Sequence, residues 1–271
     1  MSNAQIQMAA RFRAAHAPGK FLVLPNAWDV ASARIAEDCG AEAIATSSAA
    51  VAWAHGYADG EKLPKGVLLQ LVSDIARLAK VPITADSEAG YSAAPAETAA
   101  FVVTLAKAGA VGINLEDGKE APALLASKIE AIKKACAREG VDVFINARTD
   151  VYLKSLLPIE KALEETLGRG RLYRDAGADG FFVPALLDAD CLRKIADAID
   201  LPLNALTWPK LPDMAALKAA GVRRVSAGAS TARAAMGAMR RATLGLLKDG
   251  SYDALNTETD GCPNLNALMT P

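Results

Sequence analysis

Short apolar runs alternate with longer stretches of helical character along the chain, and that alternation predicts the fold. β-like runs begin at Phe21 (FLVLPNA), Ala41 (AEAIATSS), Val81 (VPITAD) and Val111 (VGINLE), and four more at Val141 (VDVFINAR), Asp179 (DGFFVPAL), Leu201 (LPLNAL) and Val222 (VRRVSAG). Ala-, Leu-, Lys- and Glu-rich segments such as AETAAFVVTLAKAG and SKIEAIKKACAREG separate them. Apolar strands that alternate with helices indicate parallel pairing with both faces of the sheet buried. Four junctions (EDCGAEAIAT, AKAGAVGINL, RDAGADGFFV and KAAGVRRVSA) end a helix on Gly and then enter a strand. Gly suits the left-handed position just past a helix because it has no Cβ to clash. Pro82 and Pro202 open strands, where a missing N–H is tolerated.

Eight such units without an obvious linker predict an α/β fold, a (β/α)8 TIM barrel formed as one domain over residues 1–271. Residues 231–271 form its C-terminal helix and tail; TARAAMGAMRRATLGLLKDG has helical character, and NTETDGCPN reads as loop or subunit-contact material. A doubly wound open sheet is the alternative, but no G-x-G-x-x-G turn follows the first strand. At the N-terminus, Ile6, Met8 and Phe12 fit an amphipathic helix, and no apolar h-region marks a secretory signal.

Composition narrows the class. Of 271 residues 52% are hydrophobic, enough for a full core, and 30 Lys plus Arg against 31 Asp plus Glu leave a net charge of −1. A non-specific nucleic-acid binder would carry a basic excess. No apolar run approaches the roughly 18–20 residues that span a bilayer. Cys39, Cys136, Cys191 and Cys262 are widely spaced with no C-x-x-C pair, which predicts free thiols in a cytoplasmic protein.

The candidate chemistry lies where the apolar runs end. Asp86-Ser87-Glu88, Glu116-Asp117 and Arg148-Thr149-Asp150 each follow a predicted strand, and Asp59 lies upstream in Tyr57–Gly60. Carboxylates are costly in apolar surroundings unless paired, hydrogen-bonded or bound to a metal. The strand C-termini are also where barrel enzymes keep their chemistry. Asp86 and Glu88 are two apart, so a regular strand would turn both to one face, with Glu116 on the next strand beside them. Oxygen donors without a His or Cys cluster suit Mg2+ or Mn2+ rather than Zn2+; helix caps and loop salt bridges are the competing explanation. Arg148 is suited to clamp a substrate carboxylate or phosphonate through its planar fork, or to pair structurally with the acids. Ser47 and Ser48 are placed to bind an anion, and Asn204 is either a polar contact or a strand-end hydrogen bond. His16 is expected to be exposed and His55 to lie in a loop, so no Ser–His–Asp system assembles.

The segments NAWDVASARIAEDCGAEAIATSS, GYADGE, ADSEAGY, GINLEDG, INARTD, AGADGFFVP and PLNAL, in this order, resemble the isocitrate lyase/phosphoenolpyruvate mutase superfamily. The resemblance implies a Mg2+-dependent barrel that makes or breaks C–C or P–C bonds of 2-oxo acids. It implies Asp86 as the direct metal ligand, with Glu88 and Glu116 holding metal-bound waters. Ser47 and Ser48 would bind the substrate carboxylate, Asp59 would belong to the substrate-side loop, and Arg148 would bind substrate. The lyases carry a Lys-Lys-Cys-Gly-His loop after Glu116-Asp117, whereas this chain reads GKEAPALLASKIEAI, with neither Cys nor His. Of the mutase and phosphonopyruvate hydrolase loop only Lys119 matches. Glu88 stands where many members have Asp, and Pro184 stands where lyases and mutases place a polar residue.

The pattern is similar to the carboxyphosphonoenolpyruvate phosphonomutase-like branch, which includes 2-oxo acid lyases and decarboxylases. It implies a Mg2+-dependent lyase or decarboxylase cleaving a C–C bond in a small 2-oxo (or 2-hydroxy) dicarboxylate through a metal-stabilised pyruvate enolate. The alternatives are a P–C bond enzyme of the phosphonopyruvate hydrolase or phosphoenolpyruvate mutase type, and a non-catalytic dicarboxylate binder. The superfamily also implies a homo-oligomer, a dimer or a tetramer, with the C-terminal helix swapped between subunits.

Overall fold

The computed structural model describes residues 3–270. Nine parallel strands form one sheet: β1 (Leu22–Leu24), β2 (Asn26–Ala27), β3 (Ile44–Thr46), β4 (Ile83–Asp86), β5 (Gly112–Glu116), β6 (Phe144–Arg148), β7 (Gly180–Phe182), β8 (Leu203–Leu206) and β9 (Val222–Ser226). Their order is β1-β9-β8-β7-β6-β5-β4-β3-β2. β1 and β2 are one extended run divided at Pro25, which has no N–H to give to a neighbour. The first half pairs Leu22 with Arg224 and the second pairs Asn26 with Ala45, so this run closes the barrel. The predicted (β/α)8 barrel is therefore present, with Pro25 at its seam.

The helices between the strands follow their sequence signals. After α1 (Asn3–Ala14) come α2 (Val30–Asp38), α3 (Ser48–Ala54), α4 (Lys65–Ala76), α5 (Pro95–Ala108), α6 (Pro122–Glu139), α7 (Ile159–Asp175), α8 (Ala189–Ile199) and α9 (Met214–Ala219). α5 and α6 begin on Pro, where the first helical N–H needs no partner. Gly40, Gly109, Gly177 and Gly221, which end the four predicted junctions, all have positive φ. At Gly109 a Cβ would also lie 2.4 Å from the Ala76 Cβ, so backbone conformation and packing both require glycine there.

α1 covers the N-terminal end of the barrel. Phe12 is fully buried with Leu22, Leu24, Ala43, Ala45, Val111 and Phe144, and burying one such ring is worth about 2–3 kcal/mol. Arg13 donates to both oxygens of Asp142 and to Asp179, just ahead of β6 and β7. His16 corrects the sequence expectation: it is 4% exposed, stacked on Phe144, with its Nδ1 2.7 Å from the Phe12 carbonyl. It follows the end of an amphipathic helix, and the helix carries it inward with Phe12.

The C-terminal segment also differs in part. α10 (Ser230–Leu244) runs into a π-helical turn at Gly245–Asp249, as its helical character predicts. The first four residues of NTETDGCPN, expected to be loop, form the end of α11 (Asp253–Thr259), and α12 (Leu265–Leu268) follows. α12 is tied to α2 by a hydrogen bond from Arg34 Nε to the Leu268 carbonyl, 2.9 Å long. Among the described residues no helix is long and apolar enough to cross a membrane.

Candidate active site

The strand ends bring Asp86, Glu88, Glu116 and Arg148 into one neighbourhood, although not all by the expected route. Asp86 is the last residue of β4 and is 9% exposed. Its N–H donates to Thr46 Oγ1 at 2.8 Å, and its Oδ2 accepts the Ser48 N–H at 3.1 Å. Ser47 caps α3, with Oγ accepting the Ala50 N–H, and the Ser48 N–H that follows it orients Asp86 from the next strand end.

Glu88 does not reach the site by strand alternation. β4 has ended, and Glu88 has φ 48°, in the left-handed region that a non-glycine residue rarely occupies. The carbonyl of Glu88 accepts the Glu116 N–H at 2.9 Å, which stitches the turn to β5. Its carboxylate accepts the Glu61 N–H at 2.6 Å and the Tyr91 hydroxyl at 3.2 Å. Burial pushes Glu88 up to about 7 against the Glu61 N–H, and the charges of Asp86, Asp59 and Glu116 add to the rise. Asp59 lies in the exposed 57–60 loop and contributes this charge from there.

Arg148 lies beside the acids and pairs with them. It pairs in register with Glu116, and its Nη1 lies 2.8 Å from Glu116 Oε2 while Nε donates to Asp150 Oδ1 at 2.7 Å. Burial lowers its pKa, but Glu116 and Asp150 more than reverse that and keep the guanidinium charged. Glu116 is pushed up to about 7 by burial, with Arg148 and Lys154 opposing and Asp150 and Asp86 reinforcing. Lys154, which sequence reasoning missed, lies 3.4 Å from Glu116 and also pairs with Asp150. Its spacing of four from Asp150 was the only signal available.

Other acids at the strand ends have structural work. Asp117 is nearly fully buried and accepts from Arg169 (2.8 Å), the Tyr173 hydroxyl (2.7 Å) and the Asp150 N–H (2.9 Å), so it ties β5 to α7 and to the end of β6. Asn204 is fully buried and exchanges hydrogen bonds with Ser226, which gives it the strand-end role rather than an open polar edge. His55 caps the end of α3.

Barrel interiors are usually filled by branched apolar side chains; beneath these acids this one is polar. Arg224 has no exposed surface, and its Nη2 donates to Asn114 Oδ1 at 3.2 Å, where Asn146 Nδ2 also donates at 2.9 Å. Burial pulls Arg224 down to about 9, with Asp86 opposing. In the sequence it looked like an ordinary strand residue in VRRVSAG.

Among the described residues no group of three or more His, Cys, Asp or Glu closes on a point as a ready metal centre. Asp86, Glu88 and Glu116 do not form such a preset cluster. They nevertheless suit a hard cation: oxygen donors only, with two carboxyls raised by burial and by one another's charge. Mg2+ normally keeps several waters and takes one or two carboxylates directly, which matches such an open set.

The sequence profile of phosphoenolpyruvate phosphomutase matches residues 12–247. The chain belongs to that family. An uncharacterised protein, Rv1998c, of Mycobacterium tuberculosis (strain H37Rv) is 39% identical over 221 residues, 80% of this chain and 81% of that one. The oxaloacetate decarboxylase of Pseudomonas fluorescens (strain SBW25) is 32% identical over 216 residues, 75% of this chain and 72% of the enzyme. A solved structure from Burkholderia cenocepacia J2315, provisionally assigned as a lyase/mutase, superposes with a TM-score of 0.89, is 32% identical and covers 100% of this chain and 98% of that one. Relatives of this phosphoenolpyruvate phosphomutase family member include a 2-methylisocitrate lyase of Aeropyrum pernix, 30% identical over 88% of this chain and 81% of that one.

Proposed function

We propose that the protein is a Mg2+-dependent lyase or decarboxylase acting on a small 2-oxo (or 2-hydroxy) dicarboxylate, with pyruvate as the product. The observation that carries this reading is the connection after Glu116. β5 ends at Glu116 and α6 starts at Pro122, with the short span between them closed by a turn from the Glu120 N–H to the Asp117 carbonyl. A connection this short, DGKEA, supplies no gating loop with a Cys or His to serve as general acid. Cleavage that leaves the charge on a 2-oxo oxygen asks least of such a loop.

Mg2+, when bound near Asp86, would polarise the 2-oxo group and its carboxylate. Glu88 and Glu116 would hold its waters. Asp86 is fixed by the Ser48 N–H and stays oriented without substrate. Arg148, gripped at Nε by Asp150, presents Nη1 to Glu116, and a substrate carboxylate can exchange with Glu116 there. Lys154 adds a second cation on the same side and balances a dianionic substrate. Ser47 and Ser48 line the edge where the near carboxylate would sit, and Asp59 faces the site from its loop. The protein's cysteines, all free, suit a cytoplasmic enzyme. The exposed Met239, Leu247 and Tyr252 support packing of the C-terminal segment against a second copy, in a dimer or tetramer.

The test is a panel of oxaloacetate, branched malates, methylisocitrate and phosphonopyruvate, assayed for pyruvate with Mg2+ and with EDTA. Pyruvate released from a carbon dicarboxylate only when Mg2+ is present is expected. Turnover of phosphonopyruvate alone would move the protein to P–C chemistry. Tight dicarboxylate binding without turnover of any compound would make it a binder.

A further inference from the structure

The turn bearing Glu88 is held from behind by a lysine that ought to be in water. Lys128 is on α6 and is 4% exposed, and its Nζ donates to the Ala89 carbonyl at 2.7 Å. Lysines on barrel helices usually bury the stem and leave the ammonium solvated. Here the head stays inside although burial works against its charge, and the carboxylates of Glu61 and Glu120 offset part of that. Its charge therefore acts on three segments at once: the 87–91 turn, the loop that carries Glu61, and the connection after β5.

That turn needs holding. Glu88, Gly90 and Tyr91 all have positive φ, at 48°, 96° and 58°, and so does Glu61 at 58°. Non-glycine residues in this region are strained and persist only where their surroundings impose them. Gly90 packs so closely on α5 that a Cβ would lie 2.4 Å from Thr98 Cγ2. The strained residues are cross-linked to each other: Tyr91 N–H to Glu61 Oε1 at 2.6 Å, Glu61 N–H to Glu88 Oε2 at 2.6 Å, and Tyr91 hydroxyl to Glu88 Oε1 at 3.2 Å.

We propose that Lys128 and Tyr91 are positioning residues for Glu88, holding the 87–91 turn and the Glu61 loop as one preformed wall of the cation site. This rests on the reading of Glu88 as a cation-side residue. Lys128 fixes the backbone behind the carboxylate, and Tyr91 fixes the carboxylate itself. Neither supplies a ligand.

The experiment is Mn2+ titration of the full-length, substrate-free protein, followed by electron paramagnetic resonance, with thermal unfolding measured on each variant. Lys128→Met keeps the length of the side chain and removes the charge; it should leave the unfolding midpoint equal or higher while weakening Mn2+ binding about tenfold, the low end of the loss when outer support of a metal site is removed. Lys128→Arg should recover part of that loss. Tyr91→Phe removes one bond to a carboxylate and should weaken binding about tenfold. Glu88→Gln is the control: unchanged Mn2+ affinity in it would overturn the cation-site reading and the positioning role together. Weakened binding in Glu88→Gln beside unchanged binding in a folded Lys128→Met would overturn the positioning role alone. Should Lys128→Met not fold, unchanged binding in Tyr91→Phe overturns it instead.

Discussion

Arg13 and Lys133 close the N-terminal end of the barrel against Asp142 and Asp179, with each charge beside a fixed opposite. At the C-terminal end Arg148 and Lys154 pair with Glu116 and Asp150, and the buried Arg224 lies beneath, against the four carboxylates of Asp86, Glu88, Glu116 and Asp150. One end balances its charges within the chain; the other keeps an excess of buried carboxylate that something arriving from solution can balance. The two ends also respond to protons in opposite ways. His16 at the closed end is held neutral, brought down to about 3 by burial and by the charge of Arg224, while Glu88 and Glu116 at the open end are pushed up to about 7. A buried polar group balanced inside the fold serves stability, whereas one left in excess serves binding.

The sharpest break in that comparison is Asp86→Ala. It should lower divalent-cation affinity by on the order of a hundredfold or more, read by calorimetric titration, while the urea midpoint stays level or rises as like charges are relieved. Phe12→Ala should do the reverse. Removing a ring packed among Leu22, Leu24 and Phe144 should cost about 3–5 kcal/mol in urea unfolding, with the Mn2+ affinity of the folded fraction unchanged. A stability loss in the first variant equal to that in the second would erase the division between the ends.

Acid should act through the closed end. The pKa of His16 falls from 6.5 to about 3 on folding, so the unfolded chain binds the extra proton between those values. Stability present above pH 6.5 should then be lost as the pH drops toward 3, by roughly 2–4 kcal/mol in all. Denaturant melts of His16→Phe should lack that slope; a variant that keeps it would move the acid sensitivity elsewhere.

Base should act through the open end, and more weakly. Glu88 rises from 4.5 to about 7, so the cation-free protein holds that proton longer than the unfolded chain does. The contribution of Glu88 to stability is fully present below pH 4.5 and should fall as the pH climbs through 7, by about 1–2 kcal/mol after allowance for solvent screening. Saturating Mg2+ should flatten this decline, and Glu88→Gln should reduce it to the share that Glu116 carries. An identical slope with and without Mg2+ would separate the carboxylates from the cation.

The strands were legible because a parallel barrel buries both faces of each one, leaving apolar runs that need no partner to be recognised. The Asp86–Glu116–Arg148 neighbourhood was legible for the same reason: each residue ends such a run. Glu88 was found by faulty geometry, since alternation requires a strand and the chain has already turned at φ 48°. The acid-rich strand ends also look alike in sequence, although Asp117 belongs to Arg169 and Tyr173 while Glu116 faces the site. That distinction depends on α7, about 50 residues downstream, which no local pattern encodes. Lys128 and His16 were misjudged or missed because side-chain type suggests solvent, and only packing turns them inward. NTETDGCPN reads as loop because its polar residues hide the last turn of α11, which rests on α10.

The seam at Pro25 sets an order of events in the making of the protein. Gly228 N–H donates to Asn26 Oδ1, 202 positions earlier, and Leu22 pairs with Arg224 across the same gap. A nascent chain therefore presents the whole acidic end of the sheet well before the strand that closes it has left the ribosome. Contacts this remote in sequence make folding slow, and an unpaired strand edge is exposed to other chains while it waits. The first strand, split and short on either side of its proline, is a poor template for such encounters until β9 comes to meet it.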